Sequence, residues 1–168
     1  MIKDPVAARD GSQWPPELVA LYSRERPQLV RAAFLVCGSV ASAEDAVHDA
    51  MSRVAARWDG VDNGRSYLYV AAVNAARDSA RRDERSTRLF ASRRVPERDD
   101  DFTRLSAESM ALRTALLRLP GNQRAAIVLR YFLDWDDDEI AQHYGVRPAT
   151  VRSWVHRGIG RLRRDLER

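Results

Sequence analysis

The sequence predicts an all-α protein built as two small helical domains joined by a flexible charged linker. Three observations point there. Apolar residues recur at three- and four-residue spacing along most of the chain, and no stretch sustains a period of two. The chain has 168 residues, 45% hydrophobic and 31% charged, enough for one ordinary globular domain or two very small ones. Between Arg81 and Phe102 the character changes: charge is dense, Pro96 and Asp99-Asp100-Asp101 appear, and large apolar residues are few. A structureless stretch of about 20 residues is more than a compact domain usually holds, so two units are favoured over one. The expected division is a tail over 1–14, a first unit over 15–84, a linker over 85–104 and a second unit over 105–168. The linker is expected to be mobile, because Val95 and Phe102 are too isolated to anchor it.

The first helix is expected from Trp14 to Cys37. Leu18, Leu21, Leu29, Ala32, Ala33 and Val36 form its stripe, Pro27 implies a break or kink near Arg26, and Gly38 ends it. The second is expected to start at Ser42 as N-cap, with Glu44 and Asp45 in the first turn where the helix dipole favours acids. Ala46, Val47, Ala50, Met51, Val54 and Trp58 are its apolar face, and Gly60 ends it. A polar loop, Asp62 to Arg65, leads to a third helix from Ser66 to about Arg82, striped by Leu68, Ala71, Ala72, Ala75 and Ala76. In the second unit one helix carries Leu105, Met110, Leu112, Ala115, Leu116 and Leu119 and stops at Pro120. Another runs from Asn122 through Phe132. A short helix opens on the acidic turn Asp136–Glu139 and reaches Gly145. The last opens at Pro148, a favoured first helical residue, and buries Val151, Trp154, Val155, Ile159, Leu162 and Leu166.

Composition excludes much. A lone cysteine, Cys37, rules out an internal disulfide and a cysteine-based zinc site, and its apolar neighbours read as a buried small residue. His48, His143 and His156 lie far apart in the sequence. There is no metal-ligand pattern, no glycine-rich phosphate loop and no nucleophile motif. Consecutive acids such as Asp136-Asp137-Asp138 diverge rather than converge on an ion. The expectation is therefore no cofactor, no metal and no enzyme. Apolar runs such as Ala32–Cys37, about six residues, fall far short of the ~20 needed to span a bilayer, and the first residues lack a signal-peptide core. A cytoplasmic protein without membrane insertion is expected. Net charge is +4, and apart from Lys3 every basic residue is arginine.

The location of that charge narrows the function. Asp136 to Gly158 has the pattern of a helix-turn-helix: Ile140 and Ala141 inside, a turn at Gly145, then Val151 and Val155 inside. In that motif the second helix enters the major groove. The outward residues here are Arg147, Thr150, Arg152, Ser153, His156 and Arg157, donors and short polar groups suited to base edges and phosphates. From Arg147 to Arg168 seven arginines face two acids, a local +5. In the first unit Asp45, His48 and Asp49 share one helix face, which is either a solvated surface or a contact stripe. Tyr67, Tyr69 and Asn74, followed by Arg77, Arg81, Arg82 and Arg85, fit either core aromatics beside a solvated face or a track for single-stranded nucleic acid.

These segments resemble a family. Ala43-Glu44-Asp45-Ala46-Val47-His48-Asp49 is similar to the AEDLVQE stretch in region 2 of extracytoplasmic-function sigma factors of the sigma-70 family. Tyr67-Leu68-Tyr69-Val70-Ala71-Ala72-Val73-Asn74 resembles their WLYRIAxN helix. Leu119-Pro120 with Arg124 and Leu129-Arg130-Tyr131-Phe132 resembles their LPxxxRxxxxLRyf stretch, while Glu139-Ile140-Ala141 and Thr150-Val151-Arg152-Ser153 resemble EIA and TVKS. The resemblance covers about 15–82 and 105–165, in order. It implies a promoter-specificity factor that binds core RNA polymerase and directs initiation at −10 and −35 elements of promoter DNA; the same likeness allows an anti-sigma factor as a further partner. By position, Asp45, His48 and Asp49 would face the polymerase. Asp62, Asn63, Gly64, Arg65, Tyr67, Asn74, Arg77 and Arg81 would handle the −10 strand. Arg147, Thr150, Arg152, Ser153, His156, Arg157 and Arg161 would lie at the −35 element, with Arg152, Ser153 and His156 reading bases and Arg157 and Arg161 holding phosphate. The alternative is a stand-alone helix-turn-helix regulator, which would normally need a dimer interface or sensor domain. The chain departs from the family at His48 for Gln, Asp49 for Glu, Tyr67 for Trp, and Arg147-Pro148 for a serine cap. Trp154 stands in place of an arginine, which removes a phosphate contact and frees the indole for burial. Gly158 and Gly160 are expected to loosen the last helix by ~1 kcal/mol each relative to alanine.

Overall fold

The structure, a computed structural model, describes residues 14–90 and 107–167. It is helical throughout, with no strand among the described residues: α1 Pro16–Cys37, α2 Val40–Ala55, α3 Gly64–Phe90, α4 Ala107–Leu117, α5 Gly121–Ile127, α6 Asp137–Tyr144 and α7 Pro148–Leu166. Most of the expected tail, 1–13, and the expected linker beyond residue 90 lie outside the described residues. None of the described helices is long and apolar enough to cross a membrane.

α1 is continuous through Pro27, so of the expected break or kink near Arg26 the break does not occur. Pro27 lies on the exposed face, and burial of Leu18, Glu25, Leu29 and Ala33 on both sides of it keeps the helix in register. Gly38 closes α1 at φ 80°, the left-handed conformation that glycine adopts without steric cost, and its N–H donates to Phe34 O at 2.7 Å. The N-cap of α2 is Ser39, not Ser42: Ser39 Oγ accepts from Ser42 N at 3.3 Å, so Ser42 supplies the donor. α2 ends at Ala55 rather than Gly60, and a short 3-10 turn, Trp58–Gly60, follows. α3 begins two residues before the expected Ser66, because Asn63 Oδ1 accepts from Ser66 N at 3.1 Å and caps it. It also runs to Phe90, well past Arg82 and six residues into the expected linker. No glycine or proline interrupts 80–90.

α1, α2 and α3 pack pairwise into one bundle. Ala43, Ala46 and Ala50 of α2 and Ala72, Ala75 and Ala76 of α3 are buried, and their small side chains let the backbones approach closely. Leu18, Leu29, Met51, Leu68, Tyr69 and Val73 fill the centre. One acid is buried with them. Glu25 Oε2 accepts from the Tyr69 hydroxyl at 2.9 Å and from Arg65 Nε at 3.1 Å, and Oε1 accepts from Arg24 Nε at 3.1 Å. Burial alone would raise the Glu25 carboxyl; the Tyr69, Arg24 and Arg65 donors outweigh it and hold the group below its ordinary value.

In the C-terminal half, α4 buries Ala115, Leu116 and Leu119 together with the turn that follows, but Met110 and Leu112, expected inside, are 56% and 43% exposed. α5 continues through a π-helical turn, Val128–Phe132, in which Leu133 N donates to Val128 O. α6 carries a capping box: Glu139 N donates to Asp136 Oδ1 at 2.8 Å, and Asp136 N to Glu139 Oε2 at 3.0 Å. Gly145, at φ 61°, makes the turn into α7. Gly158 has a packing role beyond the expected loosening. It is buried, and a Cβ there would lie 2.6 Å from Ile127 Cδ1, so it lets α7 close onto α5. The two groups of helices also touch each other. α1 meets α4, α5 and the π turn, α3 meets α5, and one apolar core extends from Leu18 to Val155.

Two outcomes follow. Gly158→Leu should destabilise the protein by about 1–3 kcal/mol through overpacking against Ile127, read as a lower thermal midpoint with helicity retained. Because the folded carboxyl of Glu25 is depressed below its ordinary 4.5, its contribution is present above that pH and is lost as pH falls through the lower folded value. Thermal midpoints of the wild type should therefore fall below about pH 4.5 more steeply than those of Glu25→Gln. Equal slopes would contradict the buried network.

Candidate nucleic-acid interface

α6 and α7 form the helix-turn-helix. Ile140, Ala141, Val151, Val155 and Leu162 point inward, and this leaves Arg152, His156, Arg157 and Arg161 exposed along α7. Arg147 is exposed at the N-cap position, while Thr150 and Ser153 are half-buried on the same helix. Their side chains are short, so only the long residues project far from the surface. Asp137 of α6 sits behind this face. It makes a close ion pair with Arg130 of the π turn and lies 3.9 Å from Arg152. Arg157 folds along its own helix, donating to Ser153 O at 3.2 Å. Trp154 points away from the Arg152 face. Its half-buried indole meets the Tyr144 ring edge-on at 5.9 Å, as expected for an indole freed from phosphate contact.

The second surface lies on α3. Tyr67, Asn74, Arg77 and Arg81 are spaced i, i+7, i+10 and i+14, which places them on one side of a 3.6-residue helix. Tyr67 is half-buried and its hydroxyl accepts from Arg57 Nη1 at 3.5 Å. Asn74 Oδ1 is buried without a hydrogen-bond partner. Arg77 donates to Asn122 Oδ1 at 3.1 Å and lies 5.7 Å from the Tyr144 ring centre. Arg81 is exposed. The structure does not bring Arg65 to this side. It faces α1, bound to Glu25 and 5.0 Å over the Tyr69 ring. Tyr69 is fully buried, so the reading of it as a stacking aromatic gives way to a core role. Asp62 and Asn63 are exposed in the loop before α3, and Asn63 is spent on the cap. Gly64 has a packing reason: a Cβ there would lie 2.5 Å from the Trp58 indole.

On α2, Asp45, His48 and Asp49 are all exposed, opposite the buried Ala46, Val47 and Ala50. Asp49 pairs with Arg53 at 2.7 Å, and the His48 ring lies 5.6 Å from Trp14. Glu25 and Tyr144 contact the candidate residues Arg65 and Arg77, and the sequence pattern did not single them out. Glu25 was legible as an acid at a stripe position between Leu18 and Leu29. Tyr144 carries no comparable signal, since only the fold brings it beside Arg77. Burial pushes its hydroxyl up to about 12, and the buried oxygen has no hydrogen-bond partner. Among the described residues no group of three or more His, Cys, Asp or Glu could hold a metal ion.

Comparison with known proteins matches this geometry. Residues 21–86 match the family described as Sigma-70 region 2, and residues 109–162 match Sigma-70, region 4. The RNA polymerase sigma-E factor of Streptomyces avermitilis is 30% identical over 151 residues, covering 87% of this chain and 83% of that protein. The ECF RNA polymerase sigma factor SigM of Mycobacterium tuberculosis is 32% identical over 155 residues, 87% of this chain and 75% of that one. Among solved structures, the sigma factor RpoE crystallised with the anti-sigma factor NepR from Bartonella quintana shares the fold with a TM-score of 0.69 at 22% identity, over 90% of this chain and 94% of that one. With both regions matched in order and relatives at this identity over most of their length, the chain belongs to the extracytoplasmic-function group of the sigma-70 family of RNA polymerase sigma factors.

Proposed function

We propose that this sigma factor directs core RNA polymerase to promoters through three surfaces, and that it acts in the cytoplasm as a regulator rather than an enzyme. The observation that carries the reading is the exposed face of α7, where Arg152, His156, Arg157 and Arg161 project from a helix-turn-helix held by the buried Ile140, Ala141, Val151 and Val155. That face fits the major groove of the −35 element. Arg152, Ser153 and His156, toward the helix N-terminus, read base edges; Arg157 and Arg161, farther along, hold phosphate; Arg147 and Thr150 fix the entry.

The −10 strand falls to the first unit. Tyr67, Asn74, Arg77 and Arg81 on one side of α3 form a track with one ring for stacking and two guanidiniums for phosphate. Asp62, Asn63 and Gly64 shape the loop beside it, and Arg65 acts from the opposite side by tying α3 to α1. The exposed stripe Asp45, His48 and Asp49 docks on the polymerase. The division into units over 15–84 and 105–168, joined by the connection after α3, lets each unit hold its own element. An anti-sigma factor is a further partner, by analogy with the relative crystallised with NepR. A stand-alone regulator needs no counterpart to region 2, so the match over 21–86 weighs against it.

Run-off transcription with core polymerase tests the whole reading; absence of promoter-directed transcripts would reject it. At finer grain, Arg161→Ala should weaken all promoters alike and lower the salt slope of binding by about one. Arg152→Ala should instead relax preference at one −35 position by about 1–3 kcal/mol. Indistinguishable sequence preferences of the two variants would overturn the assignment. Replacing Asp45, His48 and Asp49 together with alanine should change stability by no more than about 0.5 kcal/mol while weakening capture by core polymerase. Undiminished capture would remove the stripe from the interface.

A further inference from the structure

α1 ends without a cation in its own last turn. The aligned peptide dipoles leave roughly half a negative charge there, and the final carbonyls need donors. The C-terminal unit supplies them. Arg124 Nη1 donates to Val36 O at 2.7 Å, and Arg113 Nη2 donates to Gly38 O. The Arg113 guanidinium also lies 4.5 Å over the Phe34 ring of the last turn. Arg124 is only 3% exposed, an unusual place for an arginine, and it is 3.8 Å from Glu84 of α3 as well. Leu117 fills the space left by the missing side chain of Gly38: a Cβ there would meet its methyls at 2.8 and 2.9 Å. Behind these contacts Leu35 of α1 packs against the cluster of Ala115, Leu116 and Leu119.

The same closure reaches the proposed −10 track. Arg77 is held by Asn122 of α5 and covered by the Tyr144 ring of α6. The cleft between the units, about 650 Å³, is lined by Arg77 and Arg81 on one wall and Asn122, Tyr144 and Trp154 on the other. A nucleic-acid strand cannot lie along Arg77 while Asn122 and Tyr144 occupy it.

We propose that this interface is an autoinhibitory latch: in the free protein Arg113 and Arg124 cap α1 from the other unit, and the closure they secure withholds Arg77 from single-stranded DNA. The masking rests on the −10 reading above; the latch itself does not. Closure lowers the apparent affinity for a strand by the fraction of molecules that are open, so loosening the latch raises it without adding a contact.

The test uses the full chain. Arg113 has its described contacts only with the N-terminal unit, so Arg113→Ala combined with Asn122→Ala should open the interface without unfolding either half. Leu117→Glu attacks the same contact from its apolar side. A closed chain of this length has a radius of gyration of about 15 Å, and both variants should exceed the wild type by roughly a fifth or more in small-angle scattering, with unchanged helicity. Folded variants that keep the wild-type radius would overturn the latch. The probe for masking is a fluorescent thymidine 12-mer. The open variants should bind it about fivefold or more tightly than the wild type does. Expansion with no gain in binding overturns the masking. Adding Arg77→Ala to an open variant separates the two ideas. Loss of the gain supports the masking of Arg77, whereas a gain that survives removes Arg77 from the strand-binding track and leaves the latch in place.

Discussion

α1 has bonded neighbours on two sides, and its polar groups must therefore be satisfied by whatever packs against it. A buried donor or acceptor left alone costs about 1–3 kcal/mol, comparable with a sizeable part of a small domain's net stability. Midway along the helix the problem is Glu25, and α3 answers it with Tyr69 and Arg65. At its end the problem is the carbonyls of Val36 and Gly38, and α4 and α5 answer with Arg113 and Arg124. These two solutions bind α1 to the rest of its own unit and to the other unit. The first is enclosed by a core. The second lies at an interface between two groups of helices, and the open form can offer it water instead.

The outward faces follow from what the inward faces use. α2 and α3 spend alanines on their contact, so the bundle is tight without large side chains, and the acids of α2 and the arginines of α3 remain on the surface. On α7, four inward residues, Val151, Val155, Gly158 and Leu162, secure the helix to its neighbours. The exposed face keeps its long basic side chains. The use of arginine for nearly all of the positive charge suits that arrangement: a planar guanidinium can stack on Phe34 or Tyr69, cap a carbonyl or meet a phosphate, whereas an ammonium serves mainly as a point charge.

Much of this was legible from the residues. Most of the periodic stripes of α2, α3 and α7, the acidic cap at Asp136, the turn at Gly145 and the start at Pro148 carry strong local signals and stand where the pattern puts them, although Leu166, expected inside α7, is exposed and Trp58 falls in the 3-10 turn beyond α2. The misreadings have local causes too. Pro27 breaks a helix in isolation, but flanking burial overrides it. Ser39 and Ser42 are equally good caps by type, and only geometry selects Ser39. Tyr69 and Tyr67 look alike in the sequence, yet they differ by two positions on a helix, about 200°, which puts one fully in the core and leaves the other half-buried at its edge. Contacts between distant segments carry no periodic signature. The pairing of Arg124 with Val36 spans 88 positions, and nothing in either neighbourhood announces the other.

The ion pairs behind α7 bear on how selectively the helix recognises its target. Asp137 already has a claim on Arg152 before any duplex arrives. At 3.9 Å, with Arg152 itself well exposed, the pair is a loose one, so on the proposed −35 reading a groove that offers two well-placed acceptors displaces it. A groove offering one poor acceptor gains little beyond what Arg152 gives up. On the proposed −35 reading, Asp137 is a resident competitor that lowers the affinity of every site by a similar factor: the ratio between sites is unchanged, while at a given concentration weak sites empty first and strong ones stay filled.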